Sequence, residues 1–510
     1  MAEVLTDLDS LAVAVLEVDE NVKDYLDVAV ILEVIGVTRE TAERYGYKDI
    51  FDLAKAVFEA IRYYQLREET ASTRKKTRID SIIEALRLFA GGVTLSSPWV
   101  IILLVYIIFK VSWLPVSETP LVSTSVNLAL VASIISTSWI SPLFMRKLFY
   151  FMYQKMHLAA RKILAAYFIF GFFITFLIAI LFVTFTNALG LYPDWWITYF
   201  TIFFVALSLL WLTTAPLYAL RLYIPLILTY LCSLLIISIS YTMMKSLPQK
   251  FMAHVYGMIG GSAVAIIYLT VYLYLRSRFK PESYENVKIR LPFTLYLGMP
   301  YSIVNLLYFI FIFTDRFLVW YTGSPYPFLV DFFYETPASL SLLMIAVPFG
   351  VMNYYIQRFY GYLSGEKSEF AAFQVDEYRR SVRKMYLKMQ TAIFLSGFLF
   401  WIILLFFVRN QIVDIAIFTS LSIGHIFLVS IISNILLFFC MHRPSMPLLP
   451  MLLGTILNFT LGAILIKTYG VKYVASMSYM ISSIIIAIFL IIMVIETIIK
   501  KIDYYYYSAF

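Results

Sequence analysis

Charged side chains and cysteines are both scarce in this sequence. Only 14% of its 510 residues are charged, against about 25% in ordinary soluble domains, and 61% are hydrophobic. A soluble enzyme is therefore a poor expectation. The two cysteines, Cys232 and Cys440, lie in apolar runs, which argues against a disulfide framework and against a cysteine-based metal site. The sequence also lacks a Walker A loop and a paired His/Glu metal cluster, which disfavours an ATP-driven pump and an intramembrane metalloprotease.

The charges are distributed unevenly along the chain. Residues 1–90 hold 18 acidic and 12 basic side chains, whereas the remainder holds 14 acidic and 28 basic ones. The N-terminal segment is polar enough to fold in water, and it opens without the basic and apolar regions of a signal peptide. Its basic residues are interspersed with acidic ones, so we expect no nucleic-acid partner.

Helical periodicity is clear in this N-terminal segment. Apolar residues recur at helical spacing, and Gly36 followed by Thr38 marks the end of one helix and the start of another. We therefore predict an acidic cytoplasmic helical domain over residues 1–70. A basic linker and an amphipathic helix at the membrane interface follow over 71–92, where basic residues are attracted to anionic lipid headgroups.

Long apolar runs dominate the rest of the chain. A bilayer core about 30 Å thick needs about 20 apolar residues per helix. Transmembrane strands would be about half as long and would alternate in hydrophobicity, which these runs do not. The sequence therefore predicts an all-α integral membrane protein with about twelve transmembrane helices. The runs are 93–114, 121–145, 163–189, 194–214, 223–244, 251–275, 293–322, 337–357, 389–408, 411–440, 446–466 and 473–498.

The positions of lysine and arginine predict the orientation of these spans. Alternate connections, together with the C-terminal tail, carry 21 basic residues on one side of the membrane and 6 on the other. Because the basic side is normally cytoplasmic, we expect both termini in the cytoplasm and a multi-pass location in the cell membrane.

The spans also repeat. In each group of six, a long basic connection follows the second span, and a short proline-bearing turn with one arginine, Arg221 or Arg443, follows the fourth. Because six is even, the two halves would be parallel repeats related by an axis along the membrane normal. Any even-numbered bundle with a positive-inside bias could look similar, which is the alternative. The predicted segments are two six-helix bundles over 93–275 and 293–498, a cytoplasmic linker over 276–292 and a cytoplasmic tail over 499–510.

Ionisable residues in the seventh span are the most informative polar feature. Side chains of this type are costly in a bilayer and usually face a cavity or a partner. Asp315 and Arg316 follow Tyr301, Asn305 and Tyr308 at helical spacing, which predicts one polar face. We expect this face to line a central cleft between the halves and to suit a hydrated, sugar-like cargo. The alternative is a structural pair whose arginine extends towards the interface.

His425 lies in the middle of the tenth span, eleven residues after Asp414. Because histidine titrates near neutral pH, both residues are candidates for ion coupling. The alternative is a hydrogen-bonding strut between helices. We expect similar struts from four intramembrane asparagines, Asn127, Asn353, Asn434 and Asn458.

Three short motifs stand out along the membrane part of the chain. They are Leu95-Ser96-Ser97-Pro98-Trp99, then Asn305 with Asp315-Arg316 and Trp320, and then Tyr334-Glu335-Thr336-Pro337 with Pro348. These motifs resemble those of the PelG-like exopolysaccharide exporters, which belong to the multidrug/oligosaccharidyl-lipid/polysaccharide (MOP) flippase superfamily. The resemblance covers about residues 79–500, and Arg316 and Glu335 keep the charge of the lysine and aspartate usual in the family.

This resemblance implies a non-enzymatic transporter with two six-helix bundles around a central cavity. It would export a polysaccharide or a lipid-linked saccharide by alternating access, coupled to Na⁺ or H⁺, beside a cytoplasmic glycosyltransferase. The resemblance adds Trp99, Trp320 and Glu335 to the pathway candidates. Two alternatives remain open, namely a drug or metabolite antiporter on the same scaffold and a non-transporting scaffold of a polysaccharide synthase complex.

Overall fold

The structure is a computed structural model with two compact units. They are the N-terminal unit, Met1–Leu86, and the membrane unit, Arg87–Phe510. The predicted boundaries at 70, 92, 275, 292 and 498 are not tested by this division and stay predictions. The structure describes residues 8, 10–12, 14–16, 22, 24–72, 78–96, 101, 119–154, 156–244, 246–278, 291–365, 375–408 and 414–501.

Helices with well-formed ends build the N-terminal unit. The Asp24 side chain accepts hydrogen bonds from backbone N–H groups at the start of the first helix, and Thr38 does the same for the second. Gly36, with φ of +91°, allows the turn between them, as the sequence predicted. The helices are α1 (Tyr25–Val34), α2 (Arg39–Arg44) and α3 (Ile50–Ser72), and α4 (Arg78–Leu95) continues into the membrane unit.

Eleven helices in the described part of the membrane unit are long and apolar enough to cross a bilayer. They match the second to twelfth predicted spans, and most of the first, 93–114, lies outside the described residues. The protein is thus an all-helical, multi-pass membrane protein. Thirteen helices of this unit are numbered here, because α12 and α13 together form one of the eleven spans and α6 is not among them. They are α5 (Pro120–Ser138), α6 (Ile140–Tyr153), α7 (His157–Ala188), α8 (Asp194–Ala219), α9 (Tyr223–Met243), α10 (Leu247–Arg278), α11 (Leu291–Trp320), α12 (Phe332–Ser341), α13 (Ala346–Gly365), α14 (Val375–Val408), α15 (Ile415–Cys440), α16 (Leu448–Tyr469) and α17 (Ala475–Val494).

The two halves of the membrane unit share a distinctive turn after their fourth spans. Helices α8 and α15 both contain 26 residues and begin 221 positions apart. Arg221 and His442, also 221 positions apart, both have left-handed backbone conformations, with φ of 56° and 55°. The N–H of each bonds the carbonyl three residues earlier, and the next N–H bonds the carbonyl five residues earlier. This shared helix end is what a repeat predicts.

Helix α11 is the main contact between the halves. It packs against α5 and α6 on one side and against α16 and α17 on the other. Gly298 permits the close approach to α6, because a Cβ there would lie closer than 3.0 Å to the Leu143 backbone. The polar residues of α11 are therefore placed between two packed layers rather than on an outer surface.

Candidate functional site

Four side chains on α11 and α12 form a buried ionic cluster, which consists of Asp315, Arg316, Tyr334 and Glu335. The Tyr334 hydroxyl donates to Asp315 Oδ2 at 2.6 Å. The Arg316 Nε–H donates to Glu335 Oε1 at 3.2 Å. Asp315 is 0% exposed and Arg316 is 4% exposed. Adjacent residues on one helix thus pair with adjacent residues on the next and brace the two helices against each other.

Three further side chains hold α12 and its carboxylate Glu335 in place. Asp331 caps the helix by accepting from Phe333 N at 2.9 Å, and it also accepts from the Tyr473 hydroxyl at 3.1 Å. One turn after Glu335, the Ser339 hydroxyl donates to Glu335 Oε1 at 3.0 Å. Glu335 Oε1 therefore accepts two hydrogen bonds, and the carboxylate has a fixed position beside Arg316.

The ionic cluster contains one guanidinium and two carboxyl groups. Two of its buried atoms, Asp315 Oδ1 and Glu335 Oε2, have no hydrogen-bond partner among the described residues. With both carboxyl groups ionised the cluster would carry one unbalanced negative charge, and burying such a charge costs several kcal/mol. A proton or a monovalent cation would neutralise it, so the chemistry that fits these residues is reversible cation binding.

His425 lies on α15, a helix that packs against α12. Its Nδ1 is 2.8 Å from the Tyr479 hydroxyl of α17, and its Nε2 has no partner among the described residues. The histidine therefore joins two helices and keeps one ring nitrogen available.

The N-terminal part of the α11 polar face contacts the first half of the protein. The Asn305 amide donates to the carbonyl oxygen of Ser138, the last residue of α5, at 2.7 Å. The Arg146 guanidinium lies over the Tyr301 ring at 5.1 Å from its centroid, and the Phe439 ring packs on the same tyrosine at 4.6 Å. Tyr301 is therefore enclosed by side chains from both halves.

The other predicted site residues have diverse positions. Trp320 is buried, and its indole N–H has no partner among the described residues. Tyr308 is half-buried and packs edge-on against Phe309. Asp414 caps α15 by accepting from Ala416 N at 2.7 Å, about 16 Å along the helix from His425, so the structure does not bring these two candidates together. Trp99 lies outside the described residues.

The predicted polar face is thus divided between two surroundings. Asp315 and Arg316 make their hydrogen bonds with α12 of the second half, whereas Asn305 bonds the first half. The sequence predicted one central cleft for all three side chains. Periodicity places residues on a common helix face, but it does not say which neighbouring helix each turn of that face meets. Their roles in transport stay predictions.

Hydrogen bonds also join the halves at both ends of α11. Near its end, the Tyr192 hydroxyl donates to Phe328 O and accepts from Phe328 N, both at 3.0 Å, and Thr124 Oγ1 accepts from Val330 N at 2.8 Å. Burial raises the pKa of Tyr192, so its phenol keeps its proton. Near the start of α11, the Lys147 ammonium donates to Thr294 Oγ1 at 2.7 Å, and burial lowers the pKa of this lysine.

Two residues of the site were not predicted. Tyr334 lies within a recognised motif but was given no role, and Tyr479 lies in the last apolar run with no charged neighbour in sequence. A signal for Tyr334 was available in the order of the polar residues. The pair Tyr334-Glu335 follows the pair Asp315-Arg316 in the next helix, and this order could have predicted that the two pairs contact each other. Within the described ranges, no group of three or more His, Cys, Asp or Glu side chains could hold a metal ion.

Three solved transporter structures share this fold. The eukaryotic MATE transporter AtDTX14 is 14% identical, covers 84% of this chain and 100% of its own, and has a TM-score of 0.53. A MATE in complex with Br-NRF is 12% identical over 80% and 95% of the two chains, with a TM-score of 0.51. A MATE in the bent conformation is 13% identical over 82% and 96%, with a TM-score of 0.50. These likenesses show the fold alone.

Sequence comparison gives the family. No curated protein sequence matches the chain. The profile of the PelG family, described as "Putative exopolysaccharide Exporter (EPS-E)", matches residues 74–507, which covers the whole series of membrane helices. Together with the transporter fold, this match makes the protein a membrane transporter. The chain belongs to the PelG family of exopolysaccharide exporters.

Proposed function

We propose that this protein exports a polysaccharide, or a lipid-linked saccharide, from the cytoplasmic side of the cell membrane outward. The observation that carries the proposal is the family match over residues 74–507. Both termini lie in the cytoplasm, because they are on the same side of the membrane as the basic connections, and basic connections are normally cytoplasmic. Alternating access would proceed by separation of the two halves along α11, which packs against both of them.

The polar residues of α11 that contact the other half are our candidates for the transport pathway. Tyr301 and Tyr308 offer aromatic faces for sugar rings, and Asn305 offers an amide for hydroxyl groups. These groups become available when the halves separate, since Asn305 bonds Ser138 of the first half in this structure. Trp99 and Trp320 would extend the same pathway.

The ionic cluster is our proposed coupling site for H⁺ or Na⁺. A cation bound at Asp315 or Glu335 would neutralise the unbalanced charge and weaken the hold of the carboxylates on Arg316 and Tyr334. Because Asn305 lies ten residues earlier on the same helix, about 15 Å away, a shift of α11 would transmit this change to the contact with the first half. His425 would adjust the charge of the site.

We propose two partners for the N-terminal segments of the chain. Anionic membrane lipids would bind the basic segment 71–92, and a cytoplasmic glycosyltransferase that supplies the polymer would dock on the acidic N-terminal unit.

Deleting the gene and measuring extracellular polysaccharide tests the proposed cargo. We expect the extracellular polysaccharide to disappear and to return when the wild-type gene is restored. Unchanged polysaccharide together with new sensitivity to toxic amphiphiles would instead identify a drug or metabolite antiporter. A scaffold without transport activity predicts that the double variant D315N/R316Q still supports export.

The coupling ion is tested separately in cells. Export should stop either with an uncoupler, for H⁺, or when external Na⁺ is replaced by choline, for Na⁺. The variant Asp315→Asn should lose this dependence together with most of the export. Asp194→Asn serves as the control, because it makes the same change at an exposed carboxylate of the first half. Unaltered ion dependence in Asp315→Asn would overturn the proposed site.

A further inference from the structure

Helix α1 of the N-terminal unit has an uncovered aliphatic stripe. Leu26, Val30 and Val34 recur every four residues, so they lie on one face of the helix, and they are 46%, 61% and 74% exposed. The opposite face, with Val28, Ala29, Ile31 and Leu32, is buried against α3. The buried face already supplies the core of this unit, so the exposed stripe is not needed for its folding.

Carboxylates border the stripe on both edges. At 100° per residue around the helix axis, Glu33 falls just outside the edge of the stripe marked by Leu26, and Asp27 falls just outside the edge marked by Val34. Both carboxylates are exposed. The surroundings are acidic as well, because residues 1–72 contain 16 acidic and 7 basic side chains. The surface is therefore apolar in the centre and negative at its rim.

This charge pattern decides between the occupants that an apolar stripe can have. An anionic membrane surface would repel the rim carboxylates. A second copy of the chain, packed stripe to stripe, would bring Asp27 and Glu33 against the same carboxylates of its partner, and juxtaposed like charges are costly. A helix with basic residues on either side of its apolar face complements both the apolar centre and the negative rim of this surface. The stripe is about 12 Å long, which matches two to three turns of such a helix.

We infer that the stripe Leu26-Val30-Val34 is the docking site for a basic amphipathic helix of a cytoplasmic partner protein. The partner helix inserts its i, i+4 and i+7 aliphatic side chains along the stripe and pairs its lysines or arginines with Asp27 and Glu33. This inference rests on the proposed docking of a partner to the N-terminal unit, but not on the identity of the exported polymer.

The test uses the full-length protein in nanodiscs of neutral lipid and two labelled 18-residue peptides. One peptide places leucine and lysine at amphipathic helical spacing, and the other replaces every lysine by glutamate. Fluorescence anisotropy measures the Kd of each, with empty nanodiscs as the blank. We expect the lysine peptide to bind with higher affinity than the glutamate peptide, and 0.5 M salt to weaken that binding.

Three variants locate the site. Val30→Asp should raise the Kd of the lysine peptide at least tenfold, and Glu33→Lys should raise it severalfold while lowering the Kd of the glutamate peptide. Glu59→Lys makes the same charge change on the face of α3 that points away from α1, and it should leave both values unchanged. Equal effects of Glu33→Lys and Glu59→Lys, or wild-type binding by Val30→Asp, would overturn the inference. Both outcomes are independent of the gene-deletion result, which tests the exported cargo.

Discussion

Tyr334 donates a 2.6 Å hydrogen bond to Asp315, although the two residues are 19 positions apart and belong to consecutive membrane spans. The neighbouring pair, Arg316 and Glu335, has the same separation and forms an ion pair at 3.2 Å. A matched order of residues on α11 and α12 therefore builds the ionic cluster. It also leaves one oxygen of each carboxyl group without a partner among the described residues, and these are the atoms that the proposed coupling site would use.

Replacing Tyr334 by phenylalanine removes the only hydroxyl that donates to Asp315 within the described residues. We expect unfolding to become easier by about 1–3 kcal/mol, since a buried carboxylate loses its donor, and export to fall about tenfold. Thermal unfolding of the purified protein and extracellular polysaccharide measure the two effects. Tyr469→Phe, at an exposed helix end, is the control and should change neither. Wild-type stability and export in Tyr334→Phe would contradict this role.

The Arg316–Glu335 pair can be measured with a double-mutant cycle. Arg316→Gln leaves two buried carboxyl groups without their cation and should cost about 3–5 kcal/mol of stability. The double variant Arg316→Gln/Glu335→Gln removes one of those carboxylates and should recover part of the loss. Additive effects of the two single variants on the unfolding midpoint would show that the pair is not coupled.

Asn305→Leu tests the contact between the halves. The variant keeps the approximate volume but leaves the Ser138 carbonyl oxygen without the Asn305 donor, so we expect a loss of about 1–3 kcal/mol and reduced export. Asn127→Leu is the matched control, because the Asn127 amide bonds Ser123 O within its own helix. A larger thermal destabilisation in Asn127→Leu than in Asn305→Leu would contradict the assignment.

Gly92 marks a close approach between α4 and α13. A Cβ at this position would lie closer than 3.0 Å to the Phe349 carbonyl oxygen, and backbone atoms cannot move aside as side chains can. Gly92→Ala should therefore lower the thermal unfolding midpoint by several degrees, which corresponds to about 1–3 kcal/mol. Gly361→Ala, where a Cβ meets no atom within 4 Å, should be neutral or slightly stabilising. Equal midpoints for the two variants would contradict the close approach.

The spans and the helix ends could be predicted from the sequence because each depends on local chemistry. Apolar runs of about 20 residues fix the membrane helices, and Gly36 and Thr38 fix a helix boundary in the N-terminal unit. Three of the four expected asparagine struts also occur, since Asn353 bonds Leu88 O, Asn434 bonds Tyr386 and Asn458 bonds Phe311 O. Asn127 is the exception, because its amide bonds its own helix.

The partners of the polar residues could not be predicted, because they depend on packing between helices distant in sequence. Periodicity placed Asn305 and Asp315 on one face, yet they meet different halves. Likewise, the sequence made His425 and Asp414 coupling candidates but did not indicate their contacts. Asp414 lies at a helix end, where its carboxylate serves as a cap, and His425 bonds Tyr479 of another helix. Such contacts connect residues up to 265 positions apart.

The most direct test of export by alternating access is a reversible cross-link between the halves. Val330 N donates to Thr124 Oγ1 at 2.8 Å, so the two residues are neighbours across the halves. The double variant Thr124→Cys/Val330→Cys places one thiol on each side of this contact, at the end of the membrane unit that we expect to face outward. We predict that oxidation stops the appearance of extracellular polysaccharide and that a reductant restores it, while the variants Thr124→Cys and Val330→Cys, each with one introduced cysteine beside the native Cys232 and Cys440, are unaffected. Continued export by fully cross-linked protein, at the rate of the single-cysteine variants, would contradict the account.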